Sequence, residues 1–546
     1  MVMKSIANRQ VHESMRGPLN YLLTGLFLAI VLSGGAIAWH HVGNGGDPLR
    51  LLVYSAREHA AMMVSRIHPD AFPPGASAEV KAWILSNRDE LAADILSSKH
   101  SWVTTAEANC AQTTLERAAI IEFSYPTCRH AIASREDAAK LLIHESVHHF
   151  GIVDEDTADA VAHLIYRAWS SGILDWQPLS LGGEARSAHS AVWDEAQRRV
   201  IMHGGLGSAT NLLNTTLSFD PTQNIWRHIT LAAGSASPLP RFGHRSVLTN
   251  DNRMIVFGGY TDLGSGQWQS SGTILDLAGV RADGTGARWR TIRSNRVDSG
   301  YRAIRQSQTI VWAANRLVVW GGATPTSATG RTFVPEGGIY NPDTETWSSI
   351  SMVNAPLRWS GHSAVWTGRE MIVWGGKPLP AASGSSVGET NEGAIWSAAS
   401  NSWRPMSLTN APSARTEHSA VWTGEKMIVF GGSDRTGGIR GTGGVYNPAT
   451  NSWESFASEV ATQRVGHTAV WTGDEMLVWG GKTRDALYGS IVAFSPSTGA
   501  WRSLAVRSTP EGRDQHTAVW TGMSMIVFGG VGAAGSRLDT GGIFYP

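Results

Sequence analysis

The chain has 546 residues, with 45 basic and 45 acidic side chains and a formal net charge of zero. It shows no basic run and no aromatic–basic cluster, which argues against nucleic acid as a partner. Its length leaves room for two or three domains, and its 60 glycines and 23 tryptophans fit many tight turns with regularly spaced aromatic residues.

Residues 1–42 read as a leader. Leu19–Trp39 is apolar and uncharged; Lys4, Arg9 and Arg16 precede it, and no basic residue follows until Arg50. This asymmetry keeps the N-terminus in the cytoplasm and sends the rest across a membrane. Ala36-Ile-Ala38 suits cleavage after a short apolar stretch, as in a signal peptide. The whole span is also long enough to stay as a membrane anchor. Both options place the folded part outside the cytoplasm: periplasmic, secreted, or anchored and facing outward. Cys110 and Cys128, the two cysteines, are expected to form a disulfide there.

Residues 47–171 predict a small, mainly helical (α+β) domain. Helical patterns cover Pro48–Ile67 and Ala78–Leu96, and Ala119–Tyr125 reads as a strand. Ser134-Arg-Glu-Asp137 starts a helix in the manner of a capping box, which runs through Ala138–Phe150 and carries His144-Glu-Ser-Val-His148. Positions 144 and 148 lie one turn apart on one helical face. Two imidazoles so placed can share a Zn²⁺, and Glu145 beside them can act as a base. His149 points about 100° away from His148 and is not expected to be a ligand. After a short turn at Gly151-Ile-Val, a second helix begins at Asp154-Glu-Asp-Thr-Ala-Asp159 and runs to Trp169. An antiparallel return brings Glu155 opposite His148 and Asp159 beside His144.

Here the sequence resembles the gluzincin metallopeptidases. HExxH followed by Glu-x-x-Ala-Asp on the next helix is the pattern of the CAAX prenyl protease group, and it stands here as His144, Glu145, His148, Glu155, Ala158 and Asp159. The resemblance implies zinc bound by His144, His148 and Glu155, with Glu145 as general base and Asp159 orienting a ligand histidine. A second alignment, His144-Glu-x-x-His148-x-x-Gly151-x-x-Asp154, is metzincin-like and makes Asp154 the third ligand. No methionine follows before Met202, so the Met-turn of that group is missing. Asp154 also suits the N-cap of the second helix.

From residue 175 to 546 one phrase recurs. It stands as HSAVWTGREMIVWGG at His362–Gly376, and returns at His418–Gly432, His467–Gly481 and His516–Gly530. Looser copies occupy His189–Gly205, His244–Gly259 and Gln308–Gly322, the last with Gln in place of His. A Tyr or Phe and then a Trp lie between copies, as in Tyr446-Asn-Pro…Trp453. The period is about fifty residues, with four strand-like runs in each. The pattern resembles the kelch family, which implies a β-propeller with one four-stranded blade per repeat. Seven Gly-Gly pairs imply seven blades. The chain ends on a third strand, Gly541-Gly-Ile-Phe-Tyr-Pro546, and Trp176–Ser180 resembles the missing fourth, so the two ends of the propeller are expected to meet in one blade. The copper oxidases of the galactose oxidase kind need a propeller cysteine, which this chain lacks.

The connections after each Gly-Gly pair are long and varied, so one face of the propeller is decorated and is the expected binding face. An arginine precedes each repeat phrase: Arg186, Arg241, Arg305, Arg358, Arg415, Arg464 and Arg513. They read either as a cationic funnel for an acidic glycan or carboxylate, or as a structural bond needed by every copy. The chain as a whole reads as an exported zinc metallopeptidase whose propeller recruits a protein or peptide substrate. The alternative is a non-catalytic surface or periplasmic protein that binds a glycan or protein and carries a structural zinc. A carbohydrate-active propeller, such as a sugar epimerase, is a third class, but no acid/base pair in the repeats supports it.

Overall fold

The computed structural model describes residues 48–546 apart from 66, 68–71, 73–77, 104–110, 114–119, 125–126, 128–134, 151, 153–154, 171–173, 209–210, 262–271, 293–306, 326–330, 334–335, 357, 379–387, 458–462 and 505. The leader, Ser134, Asp154, Arg305, Cys110 and Cys128 therefore lie outside the described residues. Among those described, no helix is long and apolar enough to cross a membrane. Two compact units divide the chain, one ending at Ile173 and the other running from Leu174 to Pro546.

Among the described residues, the first unit holds four helices, α1 (Pro48–Ser65), α2 (Ala78–Ser97), α3 (Arg135–His148) and α4 (Glu155–Ser170). Three short strands form one sheet: β1 (Lys99–Val103), β2 (Ala111–Gln112) and β3 (Ile120–Ser124), with β3 central, parallel to β1 and antiparallel to β2. α3 is the core element. It packs against α1, α2 and α4, and Ala139, Leu142, Ile143 and Val147 enter a cluster with Ala60, Met63, Ile95 and Val161. Every residue from Leu142 to His149 is buried, so His144, Glu145, Ser146, His148 and His149 are polar side chains inside a core. Burial of such groups is costly unless each finds a partner.

The second unit is a seven-bladed β-propeller. Blade four shows the pattern, with Ser363–Trp366, Glu370–Trp374, Gly393–Ser397 and Ser402–Pro405 in simple antiparallel order. The innermost strands touch one another around the ring, and the strand Thr517–Trp520 closes it against Ser190–Asp194. Second strands such as Met427–Phe430 are buried on both faces because a neighbouring blade covers each, and they read as unbroken apolar runs. Outer strands are half exposed and keep one buried tryptophan, as with Trp403 and Trp453.

The seam joins the two ends of the propeller. β4 (Leu174–Pro178) pairs antiparallel with Gly541–Phe544, placing Trp176 opposite Phe544. Trp176 is 2 % exposed and packs on Trp479 and Phe544. A fifth strand, absent from the sequence reading, lies outside it: Val506–Arg507 runs parallel to Leu174–Asp175. The ring therefore closes by main-chain pairing and leaves no open seam.

Candidate metal centre

α3 and α4 bring three acceptor atoms to one point. His144 Nε2 lies 3.0 Å from Glu155 Oε2 and 3.2 Å from His148 Nε2, and His148 Nε2 lies 3.7 Å from Glu155 Oε2. A tetrahedral ion with ligands at roughly 2.0–2.1 Å separates its ligand atoms by about 3.3 Å, within the span of those distances. The spacing of two histidines four apart supplies one edge of this triangle. The return of α4 supplies its apex.

The other ring nitrogens bear on the tautomers. His144 Nδ1 lies 2.8 Å from Asp159 Oδ1, and His148 Nδ1 lies 2.6 Å from the Ile152 carbonyl. A carbonyl only accepts, so His148 Nδ1 must carry the hydrogen; His144 Nδ1 stands beside the Asp159 carboxylate as an ion-pair contact without hydrogen-bond alignment. A neutral His148 then presents its Nε2 lone pair to His144 Nε2, which also lies within hydrogen-bonding distance of Glu155 Oε2. Three atoms so placed can be bridged by a hydrogen on His144 Nε2 or by a cation. The donor set, two imidazoles and one carboxylate, suits Zn²⁺. Burial opposes protonation of His144, but Asp159, Glu145 and Glu155 together outweigh it and raise its pKa. Burial pushes the Glu145 carboxyl up to about 7; His144 opposes this and Glu155 adds to it. Glu155 and Asp159 are largely exposed, at 70 % and 66 %, which leaves the centre open on the α4 side.

His149 is held elsewhere. Its Nδ1 is 2.6 Å from Asp94 Oδ2 on α2, and its Nε2 is 2.8 Å from Thr113 Oγ1, just past β2. This buried chain of contacts ties α3 to its neighbours and satisfies a histidine that does not reach the triangle. Neither Asp94 nor Thr113 stood out in the sequence, because no motif links residues so far apart.

The arginines of the propeller correct one expectation. Arg186, Arg241, Arg415, Arg464 and Arg513 are fully buried. Each points Nη1 at the carbonyl of the first glycine in its own blade's pair: Gly204, Gly258, Gly431, Gly480 and Gly529, at 3.0–3.2 Å. Burial pushes their pKa values down to about 10, so they stay charged. These five form no cationic funnel and are not available to a ligand; the guanidinium fork satisfies carbonyls that the left-handed glycines turn inward. Arg358 begins a strand at Arg358–Ser360, and its side chain lies outside the described set.

The repeat histidines are structural as well. Gly375 has φ +70°, and a Cβ there would stand 2.8 Å from His418 Cε1 of the next blade, so only glycine seats that imidazole. Gln308 fills the same place in the third blade, donating Nε2 to the Phe257 carbonyl at 3.1 Å. A further clamp was not read from the sequence, although Asn-x-Trp recurs in it. Asn401, in a left-handed turn, accepts from Ser351 N at 3.0 Å, and Trp403 Nε1 donates to Ser351 O at 2.8 Å. Asn224 and Trp226 hold Ser180 in the same way.

Comparison with known proteins bears on the propeller. Residues 307–459 and 437–544 match the KLHDC2/KLHL20/DRC7 Kelch-repeats domain family. Adagio-like protein 1 of Oryza sativa subsp. japonica is 26 % identical over 275 residues, covering 47 % of this chain and 41 % of that protein. Multiple epidermal growth factor-like domains protein 8 of Homo sapiens is 28 % identical over 234 residues, 41 % of this chain and 8 % of the relative. Acyl-CoA-binding domain-containing protein 4 of Arabidopsis thaliana is 27 % identical over 222 residues, 40 % of this chain and 30 % of the relative. The chain thus spans less than half the length of the curated relatives it matches. The repeat, the seven blades and the family match together make the C-terminal unit a kelch-repeat β-propeller.

Proposed function

We propose that this protein is a zinc-dependent, gluzincin-like peptide hydrolase whose kelch propeller recruits a protein partner or substrate. The observation that carries this reading is the convergence of His144 Nε2, His148 Nε2 and Glu155 Oε2, with His148 Nδ1 committed to the Ile152 carbonyl and His144 Nδ1 2.8 Å from Asp159 Oδ1. His144, His148 and Glu155 would hold the ion, which would supply Lewis acidity toward a peptide carbonyl and toward water. Asp159 fixes the His144 ring through Nδ1. Glu145 is the base: a buried carboxyl next to the first ligand, held near neutral pKa, suited to take a proton from water and pass it to the departing amine. Asp154 remains the alternative ligand in this proposal.

The apolar Leu19–Trp39 and its basic flank support an extracytoplasmic location. Protease protection of the propeller in intact cells would contradict that placement if the protease reaches the compartment. A second reading, a binding protein with no hydrolysis, draws support from the propeller, the part that matches known kelch proteins.

Glu145→Gln separates the two readings. It removes a base and no ligand, so casein hydrolysis should fall by at least about a hundredfold while zinc content stays unchanged. Zinc bound by the wild type with no cleavage across a broad peptide library would leave the binding-protein reading in its place.

A further inference from the structure

Five blade junctions share one polar bond. A hydroxyl on the innermost strand of one blade meets the repeat imidazole of the next: Thr309 with His362, Ser363 with His418, Ser419 with His467, Thr468 with His516, and Thr517 with His189, at 2.8–2.9 Å. The junction of blades two and three has neither partner. Arg245 stands where the hydroxyl belongs, and Gln308 where the imidazole belongs. Both departures fall on one interface; the junction of blades one and two keeps Ser190 and His244, but there the two are not bonded to each other.

Gln308 stays between the blades. It is 1 % exposed, bonded through Nε2 to Phe257, and its Oε1 has no hydrogen-bond partner among the described residues. Arg245 does not fit there. It opens the innermost strand Arg245–Leu248, and it is exposed where Ser190 is buried and Thr309, Ser363, Ser419, Thr468 and Thr517 are half-buried. The innermost strands line the central channel of a propeller. Arg245 is therefore solvent-accessible yet crowded by protein, and that crowding lowers its pKa from the ordinary guanidinium value. The other charged residue within the four-stranded sheets' first strands, Asp194, is buried and paired with Arg199 at 3.1 Å. Among the described residues, no carboxylate pairs with Arg245.

An unbalanced cation in a narrow passage of low-dielectric walls concentrates anions. The guanidinium fork matches the two oxygens of a carboxylate or phosphate. We propose that the propeller channel binds one small oxyanion, a carboxylate or orthophosphate, at Arg245 beside the junction of blades two and three.

The test uses the full chain. Wild type, Arg245→Lys and the double variant Arg245→Ser/Gln308→His are titrated with sodium phosphate and, separately, with sodium acetate at constant ionic strength. Thermal unfolding and calorimetry give the response. The double variant rebuilds the hydroxyl–imidazole pair found at five other junctions, so its unligated Tm should equal or exceed that of wild type. Wild type should show a saturable rise in Tm with at least one anion, and the double variant at least tenfold weaker binding. Arg245→Lys keeps the charge but not the fork, and should fall between them. A response to phosphate alone or acetate alone supports the site and names its ligand class. No saturable response in wild type, or binding by the double variant or Arg245→Lys equal to wild type, overturns the proposal. Should the double variant fail to fold, Arg245→Lys alone decides.

Discussion

His144 and His148 bring their Nε2 atoms to 3.2 Å while Asp159 and the Ile152 carbonyl engage their Nδ1 atoms. The arrangement suits two ligands of one ion, and without an ion it calls for a hydrogen on His144 Nε2. The whole functional reading of the first unit depends on this relationship.

Asp159 should matter to metal affinity without being a ligand. Asp159→Asn keeps the shape but replaces a carboxylate facing Nδ1 with an amide. Zinc affinity, measured by competition with a chromophoric chelator, should fall roughly ten- to a hundredfold at unchanged stoichiometry. Affinity unchanged by the substitution would show that Asp159 does not orient His144.

Arg415→Ala should destabilise the propeller. The guanidinium bonds the carbonyls of Gly431 and Thr442 at 3.0 and 2.6 Å, and those groups would be left buried with fewer donors. The expected cost is about 2–4 kcal/mol, seen as a lower urea midpoint, and Arg415→Lys should recover little because it lacks the fork. A stability within about 0.5 kcal/mol of wild type would contradict a structural role.

How much of this was legible in the sequence depended on repetition and on range. The seam was legible because Trp176-Gln-Pro repeats Trp403-Arg-Pro, and the structure pairs Trp176 with Phe544. The number of blades followed from the Gly-Gly pairs, since φ near +70° beside an incoming imidazole admits no other residue. Periodicity could not separate the two readings of the arginines, because a ring of ligands and a ring of braces recur at the same interval. Burial separates them. β1 and β2 went unread: β2 has only two residues, and β1 (KHSWV) lacks the apolar β-branched run that made the equally short β3 (IIEFS) legible. The triangle on α3 and α4 was legible because helical spacing and a short turn fix it locally. The Asp94–His149 contact was not, since it spans 55 positions.

Acid should unfold the propeller steeply. Burial, the largest cause, pushes His244, His418, His467 and His516 down to about 3. Their folded pKa values lie below the unfolded value of about 6.5, so between the two the unfolded chain takes up protons that the fold refuses. Stability is then full above the unfolded value and falls as pH drops, by roughly 1.4 kcal/mol per pH unit for each histidine, or about 5 kcal/mol per unit for the four. Circular dichroism should show a cooperative loss of strand signal between roughly pH 6 and 4. His418→Gln, which copies Gln308, should shift that transition to lower pH. An unchanged transition would contradict the assignment of His418 as a buried neutral group.

Zinc content of the full-length protein tests the central claim most directly. Wild type, purified without chelator and dialysed against trace zinc, should hold one zinc ion per chain by elemental analysis, and His148→Ala close to none while its propeller still melts as in wild type. Wild type without zinc under those conditions, or His148→Ala retaining a full equivalent, would contradict a centre built on His144, His148 and Glu155.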